Sequence, residues 1–299
     1  TSPLELGVDE AQYWLWSQTP DFGYFTKPPL IAWIIGLSHW IFGHHTWAVR
    51  LPACWIHLIT ALLLWRGASW LFGQQAGRLA ALIWISLPAI GLGSFLISTD
   101  TPLLAFWSAG LLAVCGIASG RLSSPVGMGL AGVAFGAAML AKFAAIYAII
   151  GLMLIYLHGH MTRQKLFDWR DISVALLAFC LAASPNIIWN FVNEFSTVRH
   201  LGDNANISQQ SASMAGVWQF IGGQFAVAGP IVLMFMIIAA ITQWRHYKSG
   251  WLIWMSAPVM ALMIIQSYLS EANANWAMTA FPALTILLAG WLSKIQNRF

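Results

Sequence analysis

Long apolar runs separated by short polar connections dominate the chain. They lie near residues 47–70, 77–97, 101–119, 126–142, 143–158, 171–191, 216–242, 250–268 and 273–293. Several reach about 18 to 25 residues, enough as helices to cross a ~30 Å hydrocarbon core, and they are too long and too continuous for barrel strands. The pattern predicts an all-α, polytopic membrane protein with about nine transmembrane helices. The apolar segment from Pro28 to Gly43 is shorter, bounded by Pro28-Pro29 and by Gly43-His44-His45. It reads as a helix lying in the outer interface, with Trp33 and Trp40 at headgroup depth. Counted as a span, it would invert every later loop. Ahead of it, Asp9 and Glu10 precede a short helix carrying Tyr13, Trp14 and Trp16. The polar stretch 193–213 reads as an outer loop. The expected organisation is one membrane-embedded domain, 1–299, with an outer loop at 1–45 and helices over 46–299. A first span is expected to precede Thr1.

Composition agrees with the pattern: 59% of residues are hydrophobic, 8% are charged and mean hydropathy is +0.70, far from soluble domains. If the spans alternate, Arg66, Arg78, Arg121, Arg163, Lys165, Arg170, Arg245, Lys248, Lys294 and Arg298 share one side. The positive-inside rule identifies that side as cytoplasmic. Most acids fall on the other side, so the opening stretch faces outward. The net charge of +4 reflects the inner-face bias and gives no case for nucleic acid. Cys54, Cys115 and Cys180 lie inside apolar runs without metal or CxxC spacing and read as small core residues.

Charges that remain in this setting need partners or a purpose. Asp9 and Glu10 read either as a helix cap beside an aromatic belt or as carboxylates for chemistry. In YFTKPP, the pair Pro28-Pro29 stops a helix and fixes an extended turn, which holds Lys27 near the acids. Asp100, in STDTPLL, is either a cap or a second acid. Lys142 interrupts apolar sequence at an outer turn, so it either snorkels to water or meets an acid or a phosphate. Arg199 and His200 are either loop residues or anion ligands. His44-His45 and His158/His160 have no third ligand at useful spacing. Amides at span ends, Asn186, Asn190, Gln219, Gln224, Asn273 and Asn275, read as helix–helix hydrogen-bonding groups.

DEAQYW, YFTKPPLIAW, STDTPLL, SPNIIWN with VRHLGDNAN, FIGGQFAVAGP and EANANWA together resemble the bacterial membrane glycosyltransferases related to protein O-mannosyltransferases and to the lipid A aminoarabinose transferase. The similarity runs over nearly the whole chain, and the ordered set DE, YFxKP and TDxP carries it. The resemblance implies a C-type glycosyltransferase fold with its site at the outer face. It implies transfer of a sugar, with inversion, from a polyprenyl-phosphate carrier to an acceptor in lipid A, a cell-envelope glycan or a protein. By position, Asp9 matches the family's loop acid, Glu10 is its neighbour and Asp100 matches a second acid, giving three catalytic candidates. Tyr13, Tyr24 and Lys27 match carrier-binding positions, with Lys142, Arg199 and His200 as further phosphate or acceptor ligands. Such relatives begin with a span before the DE motif and often continue past the equivalent of residue 299 into more helices or a soluble domain. Thr26 stands where the aminoarabinose transferase has an acid, so no metal ligands are assigned; the cofactor expectation is none, with a divalent metal left open.

The implied partners are a polyprenyl-phosphate sugar donor, a lipid or glycan acceptor and membrane lipids, in a bacterial inner membrane with the site facing the exterior. Two other classes fit the composition. A secondary transporter would place its charges near the bilayer midplane and show inverted repeats, whereas these charges cluster at one face and no repeat is visible. A non-catalytic polyprenyl-lipid binding protein differs only in lacking turnover.

Overall fold

The computed structural model describes residues 5–197, 199, 212–246 and 249–296. Among them every regular element is a helix. The first helices are α1 (Val8–Gln18), α2 (Leu30–Phe42), α3 (Thr46–Phe72), α4 (Gln74–Ser86), α5 (Pro88–Gly93), α6 (Asp100–Ala118) and α7 (Ser124–Met139). A 3-10 turn, Phe143–Ile146, leads into α8 (Tyr147–Thr162), followed by α9 (Trp169–Val192), α10 (Met214–Ala228), α11 (Pro230–Gln243), α12 (Trp251–Trp254) and α13 (Ala257–Leu269). A second 3-10 turn, Ala274–Ala280, enters α14 (Phe281–Gln296).

The chain is a multi-pass membrane protein. Among the described residues six helical segments are long and apolar enough to cross a membrane, or seven if a bent pair counts as one, and several of the nine expected runs take other forms. The run expected as a span at 77–97 divides into α4 and α5, because Leu87 precedes Pro88 and is driven out of helical geometry to ψ 126°. The run at 126–142 gives the 16-residue α7, about 24 Å long. The run at 216–242 bends by 104° between α10 and α11. There Gly229 holds φ +79°, a conformation that suits glycine, and Pro230 restarts the helix at its first position. The segment 28–43 forms α2, an apolar helix of 13 residues, about 20 Å long.

The path nevertheless runs back and forth between two ends. Lys142 and Asn275 meet Asp100, Ile97 meets Glu10, and Asn186 meets Phe22, so one end gathers α1, α2 and the starts or ends of α6, α8, α9 and α14. The opposite end is basic. There Arg66 and Arg121 both lie over Trp70, Arg170 lies over Trp169, Arg245 over Trp244 and Lys294 over Phe72. Arg–Trp pairs of this kind suit a membrane–water interface.

Between the ends, the core is built from α3, α4, α6, α7 and α14, with Leu64, Trp84, Trp107, Leu111, Phe135 and Ile286 fully or almost fully buried. Many Leu, Ile and Phe side chains point outward instead, as a lipid-facing surface requires. Since lipid tails are as apolar as leucine, helix association in a membrane relies on close packing and small residues. The contact of α7 with α9 follows that rule. A Cβ on Gly132 would fall on the Ala175 carbonyl, and one on Gly136 would lie 2.5 Å from the Phe179 oxygen. Gly132→Ala is therefore expected to destabilise the protein by about 1–3 kcal/mol through overpacking. Gly129→Ala, whose added methyl would sit 3.6 Å from Val174, should be close to neutral. Thermal unfolding of the two variants in the same detergent checks the contrast.

Candidate active site

Helix α1 carries the two leading acids, and they have different fates. Its N-cap is Gly7, so neither Asp9 nor Glu10 is the capping residue. Glu10 reaches back to accept from the Gly7 N–H (3.0 Å), a hydrogen bond that satisfies a free donor at the helix start. The same carboxylate is 3% exposed and receives Arg50 Nε on Oε1 (2.9 Å) and Arg50 Nη2 on Oε2 (2.6 Å). It also accepts from the Ile97 N–H (3.2 Å). Burial opposes its ionisation, yet hydrogen bonds from Arg50, Gly7 and Ile97 hold its carboxyl below the ordinary value of 4.5. Glu10 thereby ties α1 both to α3 and to the loop that delivers Asp100.

Asp9, one residue earlier, is exposed. Among the described residues its carboxylate has no hydrogen-bond or ion-pair partner. It stands in the first turn of α1, where the helix dipole favours a negative charge.

Opposite it lies a group of cations and polar donors. Lys142 Nζ donates to Asp100 Oδ1 (2.7 Å) and Asn275 Nδ2 donates to Asp100 Oδ2 (2.8 Å). These partners, rather than a helix cap, occupy the Asp100 carboxylate. Tyr13 is buried at 2% exposure, with the Thr99 hydroxyl as its hydrogen-bond neighbour. Burial and the charges of Asp9 and Asp100 push its hydroxyl well above the ordinary tyrosine value, so it remains a neutral donor at working pH. Lys27 is half-buried and, among the described residues, its ammonium has no hydrogen-bond or ion-pair partner. Burial, and then the charge of Lys142, lower its proton affinity, while Asp9 and Asp100 raise it.

The backbone around Lys27 explains its placement. The Tyr24 N–H donates to the Lys27 carbonyl (3.1 Å), closing a turn, and the Leu30 N–H donates to the Leu140 carbonyl (2.9 Å). Pro28 and Pro29 between them are buried. The lysine is thus fixed from both sides and carried to the end of α7, close to Lys142.

Tyr24 itself turns away from this group. Its ring stacks on Trp16 at 4.6 Å, and its hydroxyl faces the Trp16 carbonyl (3.0 Å) while accepting from the Asp21 N–H (3.1 Å). These contacts make it a support of the loop that carries Lys27. The loop is docked on α9 by Trp189 Nε1 donating to Asp21 Oδ2 (2.9 Å) and by Asn186 Nδ2 donating to the Phe22 carbonyl, and on the segment beyond α9 by Thr197 Oγ1 donating to the Tyr24 carbonyl. Arg199 pairs with Glu194 at 3.7 Å, both highly exposed, an arrangement worth little in stability. His200 lies outside the described residues, as does most of the outer stretch 193–213.

Two residues that hold these acids were not assigned to the site by sequence. Arg50 was legible only as a basic residue outside the inner-face group. Asn275 was legible as a span-end amide, with nothing to connect it to Asp100, 175 residues away. Among the described residues no three His, Cys, Asp or Glu side chains are grouped to hold a metal ion.

A helical membrane bundle with acids, lysines and a buried tyrosine gathered at one end has the architecture of the C-type glycosyltransferase fold. The chain belongs to the dolichyl-phosphate-mannose-protein mannosyltransferase family, whose model matches residues 26–189. It is 36% identical over 97% of its length to the lipid A galacturonosyltransferase RgtD of Rhizobium johnstonii, covering 61% of that protein. It is 25% identical over 94% of its length to the undecaprenyl phosphate-alpha-4-amino-4-deoxy-L-arabinose arabinosyl transferase of Pectobacterium atrosepticum, covering 52% of it. In fold it is similar to ArnT from Cupriavidus metallidurans bound to undecaprenyl phosphate, with a TM-score of 0.77 at 19% identity over 97% of this chain and 56% of that one. The oligosaccharyltransferase of Archaeoglobus fulgidus shares the fold more distantly, at a TM-score of 0.57 and 15% identity, with all of this chain and 47% of that one covered. The chain therefore spans between about half and three fifths of the relatives' length.

The Glu10–Arg50 pair generates a prediction separate from chemistry. Removing one partner of a buried ion pair leaves the other charge uncompensated and costs about 3–5 kcal/mol. Glu10→Gln should lower thermal stability by that order. Because folding depresses the Glu10 carboxyl, its stabilisation is fully present above pH 4.5 and is lost as the pH falls below that value. Unfolding scans of wild type and variant between pH 7 and pH 3 should converge at the acid end. A Glu10→Gln protein as stable as wild type at neutral pH would contradict the strut role.

Proposed function

We propose that this chain is the membrane-embedded part of an inverting glycosyltransferase that moves a sugar from a polyprenyl-phosphate carrier to an acceptor at the outer face of the bacterial inner membrane. The observation that carries the reading is Lys27: a half-buried ammonium, fixed by its turn, next to a second lysine and without an ion-pair partner among the described residues. A cation so placed in a membrane protein is costly unless an anion arrives, and the phosphate of a lipid carrier is an anion delivered at that depth. The relatives' names support the carrier and the acceptor class, undecaprenyl phosphate for one and lipid A for the other.

The reaction assigns each group a task. An acceptor hydroxyl attacks the anomeric carbon from the face opposite the phosphate. Its proton passes to the Asp9 carboxylate, which is left free to take it. The bond from the anomeric carbon to the phosphate oxygen breaks, and the electron pair stays on the departing lipid phosphate beside Lys27. Lys142, held by Asp100, adds positive potential from behind, and the neutral Tyr13 hydroxyl offers a hydrogen bond. Asn275 and Lys142 keep Asp100 oriented. Basic loops at the other end of the bundle support the orientation, since they favour the cytoplasmic side.

The transporter alternative fits less well. A broken helix does exist, at the junction of α10 and α11, but the residues there are Ala228, Gly229 and Pro230, with no charge to couple an ion.

Asp9→Asn keeps the shape of the side chain and removes its basicity. It should cut transfer by about 10²- to 10⁴-fold in a lipid-linked sugar transfer assay, while folding and carrier binding persist. An active Asp9→Asn enzyme would move the general base elsewhere.

Lys27→Ala should reduce transfer by about 30-fold or more, the loss of roughly 2–4 kcal/mol of transition-state stabilisation, and should weaken carrier binding as well. Because burial and Lys142 lower the proton affinity of Lys27, carrier affinity in the wild type should begin to fall with rising pH before an ordinary lysine would titrate. Carrier titrations of both proteins over an alkaline pH series decide whether Lys27 holds phosphate or merely anchors the interface.

A further inference from the structure

A well-defined cleft opens away from the acidic end. It measures about 320 Å³ and lies at the basic end, where α8 finishes, α11 ends and α12 begins. Helix α8 separates the two places: it starts five residues after Lys142 and runs 16 residues to Thr162, about 24 Å. The cleft cannot share a small ligand with the site around Asp9 and Lys27.

Its lining mixes polar and apolar side chains. His158, Thr162, Gln164, Arg245 and His246 supply the polar side chains, while Ile155, Leu166 and Trp251 form the apolar wall. No carboxylate lines it among the described residues. Arg245 is exposed and its guanidinium lies 4.5 Å from the centre of the half-exposed Trp244 ring. That contact orients the guanidinium at the mouth without consuming its hydrogen-bond donors. Behind His246, Lys294 Nζ lies 3.5 Å from its ring nitrogen and donates to Gln243 Oε1 (3.1 Å), adding a second positive charge. The volume would hold about ten waters, more than an isolated phosphate ion needs.

We propose that this cleft binds the phosphate headgroup of an anionic phospholipid drawn from the leaflet at the basic end. Arg245 holds the phosphate oxygens, His158 and Gln164 meet the glycerol or phosphate from the helix side, and the first methylenes of the acyl chains lie against Ile155, Leu166 and Trp251. Three features favour a lipid as the occupant. The anion-binding groups stand at headgroup level, marked by the Arg–Trp and Lys–Phe pairs around the same end. Apolar side chains line the same cleft. The space exceeds what a free phosphate fills. Basic pockets between helices on the cytoplasmic side are suited to anionic headgroups. This inference does not depend on the chemistry assigned to Asp9 and Lys27.

The test uses the purified full chain, delipidated in a neutral detergent, with lipid binding followed by native mass spectrometry and thermal stabilisation. Phosphatidylglycerol should bind and stabilise, and phosphatidylcholine should do so much less. Arg245→Gln, which keeps much of the side chain, should weaken phosphatidylglycerol binding about tenfold, the loss of a charge-assisted hydrogen-bonding group. Arg170→Gln, a change at the same end but outside the cleft, should leave it unchanged. Sugar transfer by Arg245→Gln should stay at the wild-type level once detergent conditions are matched. Inorganic phosphate at millimolar concentration forms a separate arm: failure to displace the lipid or to stabilise the protein supports the headgroup, whereas equal stabilisation by phosphate alone replaces the lipid with a free anion and overturns it. Equal binding of phosphatidylglycerol by wild type, Arg245→Gln and Arg170→Gln would also overturn the proposal.

Discussion

One buried carboxylate sets the geometry of the acidic end. Glu10 is surrounded by donors from three parts of the chain: its own helix start at Gly7, the first turns of α3 through Arg50, and the loop before α6 through Ile97. In a membrane protein such a group is stable only when every lone pair is used, because the low-dielectric surroundings penalise an unpaired charge heavily. The requirement works in both directions. It fixes α1 against the bundle, which leaves Asp9 projecting from a rigid turn, and it fixes the loop from which Asp100 starts its helix. A carboxylate pair adjacent in sequence has thus been divided, with the inner acid used for position and the outer acid left free.

The same division recurs among the lysines. Lys142 is committed to Asp100, while Lys27 is held by backbone geometry alone, through the buried prolines and the turn closed at Tyr24. A cation fixed by its backbone keeps its donors for a ligand, and the nearby positive charge of Lys142 makes the space around it attractive to a phosphate without satisfying it beforehand. Balanced against Asp9 and Asp100, the cluster carries opposing charges in a confined space, a condition that favours preorganised electrostatic stabilisation over reorganisation by water.

Much of this was legible in the sequence, and the gaps have physical causes. Hydropathy and the distribution of Lys and Arg determine that the chain is a helical bundle with one basic end, because the bilayer leaves no other way to satisfy the backbone. The prolines of YFTKPP announced the turn that fixes Lys27. The number of long spans was less legible: a window of apolar residues does not distinguish one helix from two joined at Leu87-Pro88 or at Gly229-Pro230, since both sides of each break are equally apolar. Tyr24 has the residue type of a phosphate ligand, but its ring stacks on Trp16, and that choice depends on a partner eight residues away adopting a particular rotamer. Arg50 and Asn275 were hidden because their partners lie 40 and 175 residues distant, and separation on that scale is fixed by the fold rather than by any local pattern.

The two ends of the bundle use charge for opposite purposes. At the acidic end Glu10, Asp100 and Lys142 are locked by hydrogen bonds while Asp9 and Lys27 stand without partners among the described residues, and the aromatic residues support a loop. At the basic end the cations lie over aromatic rings, a contact that restrains a guanidinium yet leaves its N–H groups pointing at whatever anion the interface presents. On the proposed reading, a lipid-linked substrate keeps its tail among the helices while its headgroup reaches the carboxylates, which calls for a fixed depth and tilt in the bilayer. Lys27 sits in a turn whose position follows from α2 and α7, and α7 is packed against α9 at van der Waals distance through Gly132 and Gly136. The turn that carries Lys27 is therefore seated on helices whose close approach depends on small residues.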